Sequence, residues 1–260
     1  MKIEFLISTY GKRINDIKLT DLPKKENVSY LIVVQQIDLS SFNNHLLRDD
    51  VRILLLSTIG VSKSRNYALK NAKSESEILI FMDDDIKFVD ENLDLILDVY
   101  KNKEIKFATH QIINEKGNLR KKYINNKEQH NLFTILKYGT VEISVRHDFI
   151  KNNNILFNEK FGAGSELSAC DEPIFLSDII KKGGKGCHIR KNLFIHPDES
   201  NGLFSSNINS IMSRGAMFKV IYGRWLSIPL IMLFFIKQAL KKRREKFKIL
   251  KYLIKGYFRV

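Results

Sequence analysis

Four short apolar runs in the N-terminal third constrain this chain most: Ile3–Ser8, Tyr30–Val34, Arg52–Leu56 and Ile78–Met82. They are rich in Ile, Val and Leu and show little alternation, as strands buried on both faces do. Between the last two, Ser62–Ala72 carries apolar or small residues at Tyr67, Ala68, Leu69 and Ala72, which reads as a helix. A second helix is read over Asn92–Tyr100 from Leu93, Leu95, Ile96, Leu97 and Val99. Strand and helix in alternation predict a doubly wound α/β sheet, with ligands at the carboxyl ends of the strands.

The middle, from Lys103 to Asn158, yields less: a turn at Glu115-Lys116-Gly117-Asn118 and a strand over Thr140–Val145. Then Phe161-Gly162-Ala163-Gly164-Ser165 forms a glycine-rich loop leading to Cys170-Asp171-Glu172. Pro173 suits the first turn of a helix over Ile174–Lys181, which Gly183-Gly184 stops. A strand over Cys187–Ile195 runs into His196-Pro197-Asp198-Glu199-Ser200.

The chemistry centres on Asp83-Asp84-Asp85, which follows directly on the apolar run Ile78-Leu79-Ile80-Phe81-Met82. Three adjacent carboxylates repel one another, and at the end of a buried strand they need neutralising. A divalent cation does this: Mg²⁺ or Mn²⁺ takes one or two carboxylates and fills its shell with water and phosphate oxygens. If the extended geometry continues, Asp83 and Asp85 share one side. Taken alone, a solvated acidic turn explains the run as well.

The order of motifs narrows the choice. Gly60-Val61-Ser62-Lys63-Ser64-Arg65-Asn66 opens a helix, a strand follows, and then comes the aspartate run. This arrangement resembles the family 2 glycosyltransferases, whose GT-A fold is Rossmann-like, with a mixed central sheet flanked by helices. The glycine-rich loop at Phe161–Gly164, the acidic pair and the segment from His196 to Ser200 continue the likeness over roughly residues 1–200.

The resemblance implies a catalytic domain over 1–200, its nucleotide-sugar half about 1–100 and its acceptor half about 101–200. It implies that Ser8, Thr9 and Tyr10 touch the nucleotide and that Arg65 lies near base and diphosphate. Gln35 stands where the family carries an Asp that reads uracil, and its amide can still pair with a base edge. Asp83 would contact the ribose, Asp85 would bind Mn²⁺ or Mg²⁺ with Asp83 and His196 beside it, and Asp84 would support them. The family's Glu-Asp pair appears here reversed, as Asp171-Glu172. Register points to Glu172 as the base and residue type to Asp171, so both are candidates. The implied reaction is inverting transfer of a sugar from a nucleotide-sugar donor, a UDP-sugar above all, to a saccharide or lipid-linked acceptor in surface-polysaccharide synthesis. A thiol nucleophile at Cys170 is disfavoured, because neighbouring carboxylates suppress the thiolate.

The formal charge of +14 is concentrated at the end of the chain. From Lys237 to Val260 there are ten basic residues against Glu245 alone. Trp225–Ile236 is apolar apart from Ser227 but too short for the roughly 20 residues of a spanning helix, so it reads as an interfacial or re-entrant segment. Beyond it, Phe247, Leu250, Leu253, Ile254, Tyr257 and Phe258 share one helical arc, with Lys248, Lys251, Lys255 and Arg259 on another. Residues 201–260 are thus expected to form a helical, basic amphipathic appendage on an anionic membrane surface, with packing on the protein as the alternative. Two cysteines and an opening that runs straight into a strand-like segment point to a cytoplasmic protein peripheral to the inner face of the membrane. A nucleotidyltransferase and a basic nucleic-acid binder are the competing classes. The first lacks all but an echo of its loop at Tyr10-Gly11-Lys12-Arg13, and the second lacks a recognition motif, so no nucleic-acid partner is expected.

Overall fold

The computed structural model describes residues 1–36, 44–124, 129–197, 208–241 and 245–260. Asp198, Glu199 and Ser200 of the late polar segment, the boundary at 200, and Lys242, Arg243 and Arg244 of the basic tail lie outside them.

The apolar runs form β1 (Ile3–Tyr10), β2 (Val28–Gln35), β3 (Val51–Leu56) and β4 (Ile78–Asp83), all mutually parallel. They belong to an eight-stranded sheet of order β3-β2-β1-β4-β7-β6-β8-β5. Its other strands are β5 (Lys87–Phe88), β6 (Ile105–Asn114), β7 (Ile143–Arg146) and β8 (Lys185–His196). β7 is antiparallel to both neighbours, so β6 and β8 run with β1 and β4. The carboxyl ends of β1, β2, β3, β4, β6 and β8 therefore meet at one edge, where β7 has its start. The order reverses between β1 and β4, the kind of switch point at which such sheets bind ligands.

Layers of side chains cover both faces. On one, Phe5, Tyr30, Ile80 and Phe194 pack with Ile96 of α2 (Leu93–Val99). On the other, Leu31, Phe81 and Phe107 pack with Leu69 of α1 (Val61–Asn71), Ile150 of α3 (His147–Asn152) and Phe175 of α4 (Asp171–Lys181). Phe157 stacks on Phe175 at 4.1 Å. A third cluster joins Phe161, Leu167 and Ile174 to α5 (Ile208–Lys241) and α6 (Lys246–Tyr257).

Several expectations shift. Thr140–Glu142 is a 3₁₀ turn and the strand begins only at Ile143. β6 falls in the stretch that the sequence left without a strand. The apolar segment Trp225–Ile236 is no short insertion but part of the 34-residue α5, whose backbone breaks at Gly223.

Candidate active site

The site grows from the carboxyl edge. β1 and β4 pair in register, so Ser8 stands opposite Asp83. β4 ends at Asp83 and turns, yet the aspartates still segregate. The side chains of Asp83 and Asp85 are each 38% exposed, whereas that of Asp84 is 5% exposed. Asp84 accepts from Thr9 Oγ1 at 2.5 Å and from Arg13. Burial, opposed by Thr9 and Arg13, pushes its carboxyl up to about 6. Asp84 is thus the structural member of the run. Burial, Asp85 and Glu172 also push Asp83 upward, against the pull of Arg65 and His196.

α1 presents the next layer. Its polar side chains are buried because each clamps a neighbouring segment. Ser62 donates to the carbonyl of Phe161 at 2.6 Å, and Ser64 donates to Ser8 at 3.0 Å. Asn66 grips Phe157 from both sides, donating to its carbonyl at 2.9 Å and accepting from its N–H at 2.7 Å. The Val61 N–H donates to Ala163 at 2.9 Å, so the glycine-rich loop lies directly on the start of the helix. Gly162 has φ 98°, and a Cβ there would come within 2.7 Å of Val61 and 3.0 Å of Asp171. That close approach holds the loop, the helix and the acid together.

Arg65, buried, reaches across. It donates to Asp171 at 2.5 Å and lies 3.5 Å from Asp83. Asp171 and Glu172 open α4, where carboxylates suit the helix N-terminus. They face differently. Asp171 is 3% exposed and turned onto Arg65. Its carboxyl is pushed up by burial and by Glu172, with Arg65 opposing. Glu172, half-buried, accepts from Thr140 Oγ1 at 2.9 Å. Thr140 precedes β7, the antiparallel strand whose start lies at this edge.

The remaining expected residues stand at strand ends on the same edge. Tyr10, the last residue of β1, is exposed. Gln35 is buried at the end of β2, and its Oε1 has no hydrogen-bond partner among the described residues. His196 ends β8, its Nδ1 3.2 Å from the Pro197 carbonyl. Cys170 is no nucleophile, since burial lifts its thiol to about 12. A cleft of about 210 Å³ beside Asp85 is lined by Arg13, Lys18 and Lys87 among others. A larger one, about 320 Å³, lies among Met1, Lys25 and Leu93 at the amino edge, away from these groups.

The donor set was weighed against a divalent cation. Among the described residues no three of His, Cys, Asp or Glu are grouped closely enough to hold an ion by themselves. Asp83 and Asp85 nonetheless offer two hard oxygen ligands at the opening, with His196 near enough to Asp83 for its charge to be felt. They fit a Mg²⁺ or Mn²⁺ whose other ligands are water and phosphate.

The sequence signature described as glycosyl transferase family 2 matches residues 39–165. The chain carries a glycosyl transferase family 2 domain. The match takes in α1, the aspartate run and the glycine-rich loop, and leaves out β1, β2 and the acidic pair on α4. No curated protein sequence matches the chain. Among solved structures, crystal structures of S. aureus TarS are similar to it. TarS 1-349 superposes with a TM-score of 0.63 at 15% identity, over 98% of this chain and 92% of that one. TarS 1-349 in complex with UDP-GlcNAc gives 0.61 at 18%, over 99% and 73%. A longer TarS chain gives 0.59 at 18%, over 84% of this chain but 39% of its own length. At such identity the likeness is one of fold, and it bears out the GT-A architecture expected of a family 2 glycosyltransferase.

At the carboxyl edge of the sheet, two residues stand that sequence reasoning passed over as site residues. Arg13 is the counter-ion of Asp84 and lies 3.9 Å from Asp85. Its signal was the Gly11-Lys12-Arg13 stretch after the first strand. Thr140 holds Glu172 and had no signal, because only the crossing of β7 brings it there.

Proposed function

We propose that the protein transfers a sugar, with inversion, from a UDP-sugar to a saccharide or lipid-linked acceptor in surface-polysaccharide synthesis at the cytoplasmic face of the membrane. The observation that carries this is the pair of half-exposed carboxylates, Asp83 and Asp85, at the switch point of the sheet, with a half-buried Glu172 held by Thr140 near them. The complex of TarS with UDP-GlcNAc supports a UDP-linked, N-acetylhexosaminyl-type donor.

Gln35 and Tyr10 suit the base, one with an open acceptor and the other with an exposed ring at the rim. Arg65 suits the diphosphate through its fixed fork of donors. Asp85 and Asp83, with His196 beside them, would hold Mn²⁺ or Mg²⁺, which when bound offsets charge growing on the departing nucleoside diphosphate. Glu172 takes the proton of the acceptor hydroxyl. The hydroxyl oxygen bonds to the anomeric carbon, and the bond from that carbon to the diphosphate oxygen breaks, its electron pair leaving with the nucleoside diphosphate. Arg65 turns Asp171 away from this work, so Asp171 positions Arg65 while Glu172 acts.

The test is a panel of nucleotide sugars with saccharide acceptors, with Mn²⁺ and with chelator, reading released nucleoside diphosphate. Release from a UDP-sugar that stops with chelator and returns with Mn²⁺ is expected. Release of pyrophosphate would replace this reading with nucleotidyl transfer.

A further inference from the structure

The end of the chain carries a surface that no step of the chemistry uses. The first half of α5 is core: Met212, Ala216, Met217, Phe218 and Ile221 are buried with Phe161, Leu167 and Ile174. At Gly223 the backbone adopts φ 76° and ψ −179°, a region open essentially to glycine alone, and the helix changes course. Beyond the break Ser227 and Ile231 are the buried positions, while Trp225, Leu226, Leu233, Ile236 and Leu240 are exposed. At about 100° per residue these five lie on one side of the helix. A helix facing water carries polar residues there.

α6 extends the surface. It crosses α5 at two glycines: a Cβ on Gly256 would meet the Met212 carbonyl at 1.9 Å, and one on Gly215 the Leu253 carbonyl at 2.0 Å. So close a crossing fixes the rotation of α6. Ile249 and Leu253 are buried, whereas Phe247, Ile254 and Phe258 are exposed. The arc expected to be wholly membrane-facing is thus divided between the protein and the outside. Lys248, Lys251, Lys255 and Arg259, all exposed, flank the outward ridge, and Arg224 and Lys237 bracket the stripe on α5.

We infer that the outward stripe of α5 after Gly223, together with the ridge of α6, is a docking face for an anionic lipid bilayer. Large apolar side chains rimmed by lysine and arginine match an acyl layer beneath negative headgroups. A second copy fits less well, because a two-fold contact would set these same basic residues against each other. The face lies on the membrane and does not span it. α5 is long and apolar enough to cross by length and composition, but its first half is spent in the core, and about twelve apolar residues reach roughly 18 Å of the 30 Å needed. The surface stands apart from the donor chemistry. It shares a wall with the acceptor side, since α5 and α6 rest on the loop and helix that carry Asp171 and Glu172, and Arg259 pairs with Glu166.

Trp225, the one tryptophan in the chain, is 76% exposed and reports on this face directly. The full chain is mixed with vesicles of phosphatidylcholine, alone or with phosphatidylglycerol. With anionic vesicles Trp225 emission should move to the blue, be quenched by lipids brominated in the acyl chain, and the protein should float with the vesicles. Reversing Lys248, Lys251 and Lys255 to Glu should lower partitioning by at least about a hundredfold. Leu233→Glu with Ile236→Glu should abolish it while the circular dichroism of the fold is kept. Unchanged emission and no flotation with anionic vesicles overturns the assignment. So does a lipid-independent blue shift accompanied by a dimer mass in light scattering, which would make a second copy the occupant.

Discussion

Arg65 stands between Asp83, at the end of β4, and Asp171, at the start of α4, donating to the second at 2.5 Å and reaching the first at 3.5 Å. One buried guanidinium thus ties the end of β4 to the start of α4. Arg65→Met leaves Asp171 buried without its partner and is expected to cost about 3–5 kcal/mol in denaturant unfolding. Adding Asp171→Asn should recover much of that stability, because no buried charge is then left alone. UDP affinity, read by calorimetry, should stay weakened in both variants.

The acids at the start of α4 are expected to separate by role. Glu172→Gln should lower kcat by about 10²–10⁴-fold while UDP-sugar affinity is kept. Thr140→Val, which removes the donor that orients Glu172, should give a smaller loss of kcat in the same direction. Full turnover by Glu172→Gln would move the proton acceptor to Asp171.

Gly162 is placed where the loop, α1 and Asp171 converge. Gly162→Ala puts a Cβ 2.7 Å from Val61 Cγ1 at a φ of 98°, an overpacked and strained position. A stability loss of about 1–3 kcal/mol is expected in thermal unfolding. Turnover should fall more than UDP binding, since the displaced group is the acid pair.

Acid sensitivity should come from histidines in the core. Both ring nitrogens of His110 are buried with no hydrogen-bond partner among the described residues. Burial, with His188 adding to it, lowers its pKa to about 3. His130 falls likewise to about 3, by burial and His188, and His188 to about 4, chiefly by burial. Unfolded histidine titrates near 6.5, so between these values the unfolded chain binds protons that the native chain refuses. Stability is complete above about pH 6.5 and is lost as pH falls. From pH 7 to pH 5 His110, deeply buried, removes about 2 kcal/mol by itself. Denaturant melts of His110→Phe at the two pH values should show that share gone; an equal pH slope in variant and parent would falsify it.

Local sequence went far where one segment decides its own fate. Short runs of Ile, Val and Leu between polar segments suit strands covered on both faces, so β1 to β4 were readable with their order of appearance, although β3, at the edge of the sheet, stays partly exposed. An aspartate run closing such a strand was readable as a cluster at the ligand edge. β6 was not: Lys106, Thr109, His110 and Gln111 interrupt its apolar pattern, and only the folded chain brings to this strand the neighbours that accommodate them. Thr109, for example, meets His130 and His188.

Which member of each acidic group turns inward was decided by the tertiary structure. Asp84 turns inward because Arg13, 71 residues away, and Thr9 receive it. Asp171 turns inward because Arg65, 106 residues away, does, and this leaves Glu172 to Thr140. The apolar arc of α6 is likewise one feature in sequence and two in space, because Gly215 and Gly256 draw half of it against α5. A chain's own pattern fixes which residues leave water, but only its folded neighbours fix which charges are answered and which remain available. Burial is a property of a segment, whereas pairing is a property of two.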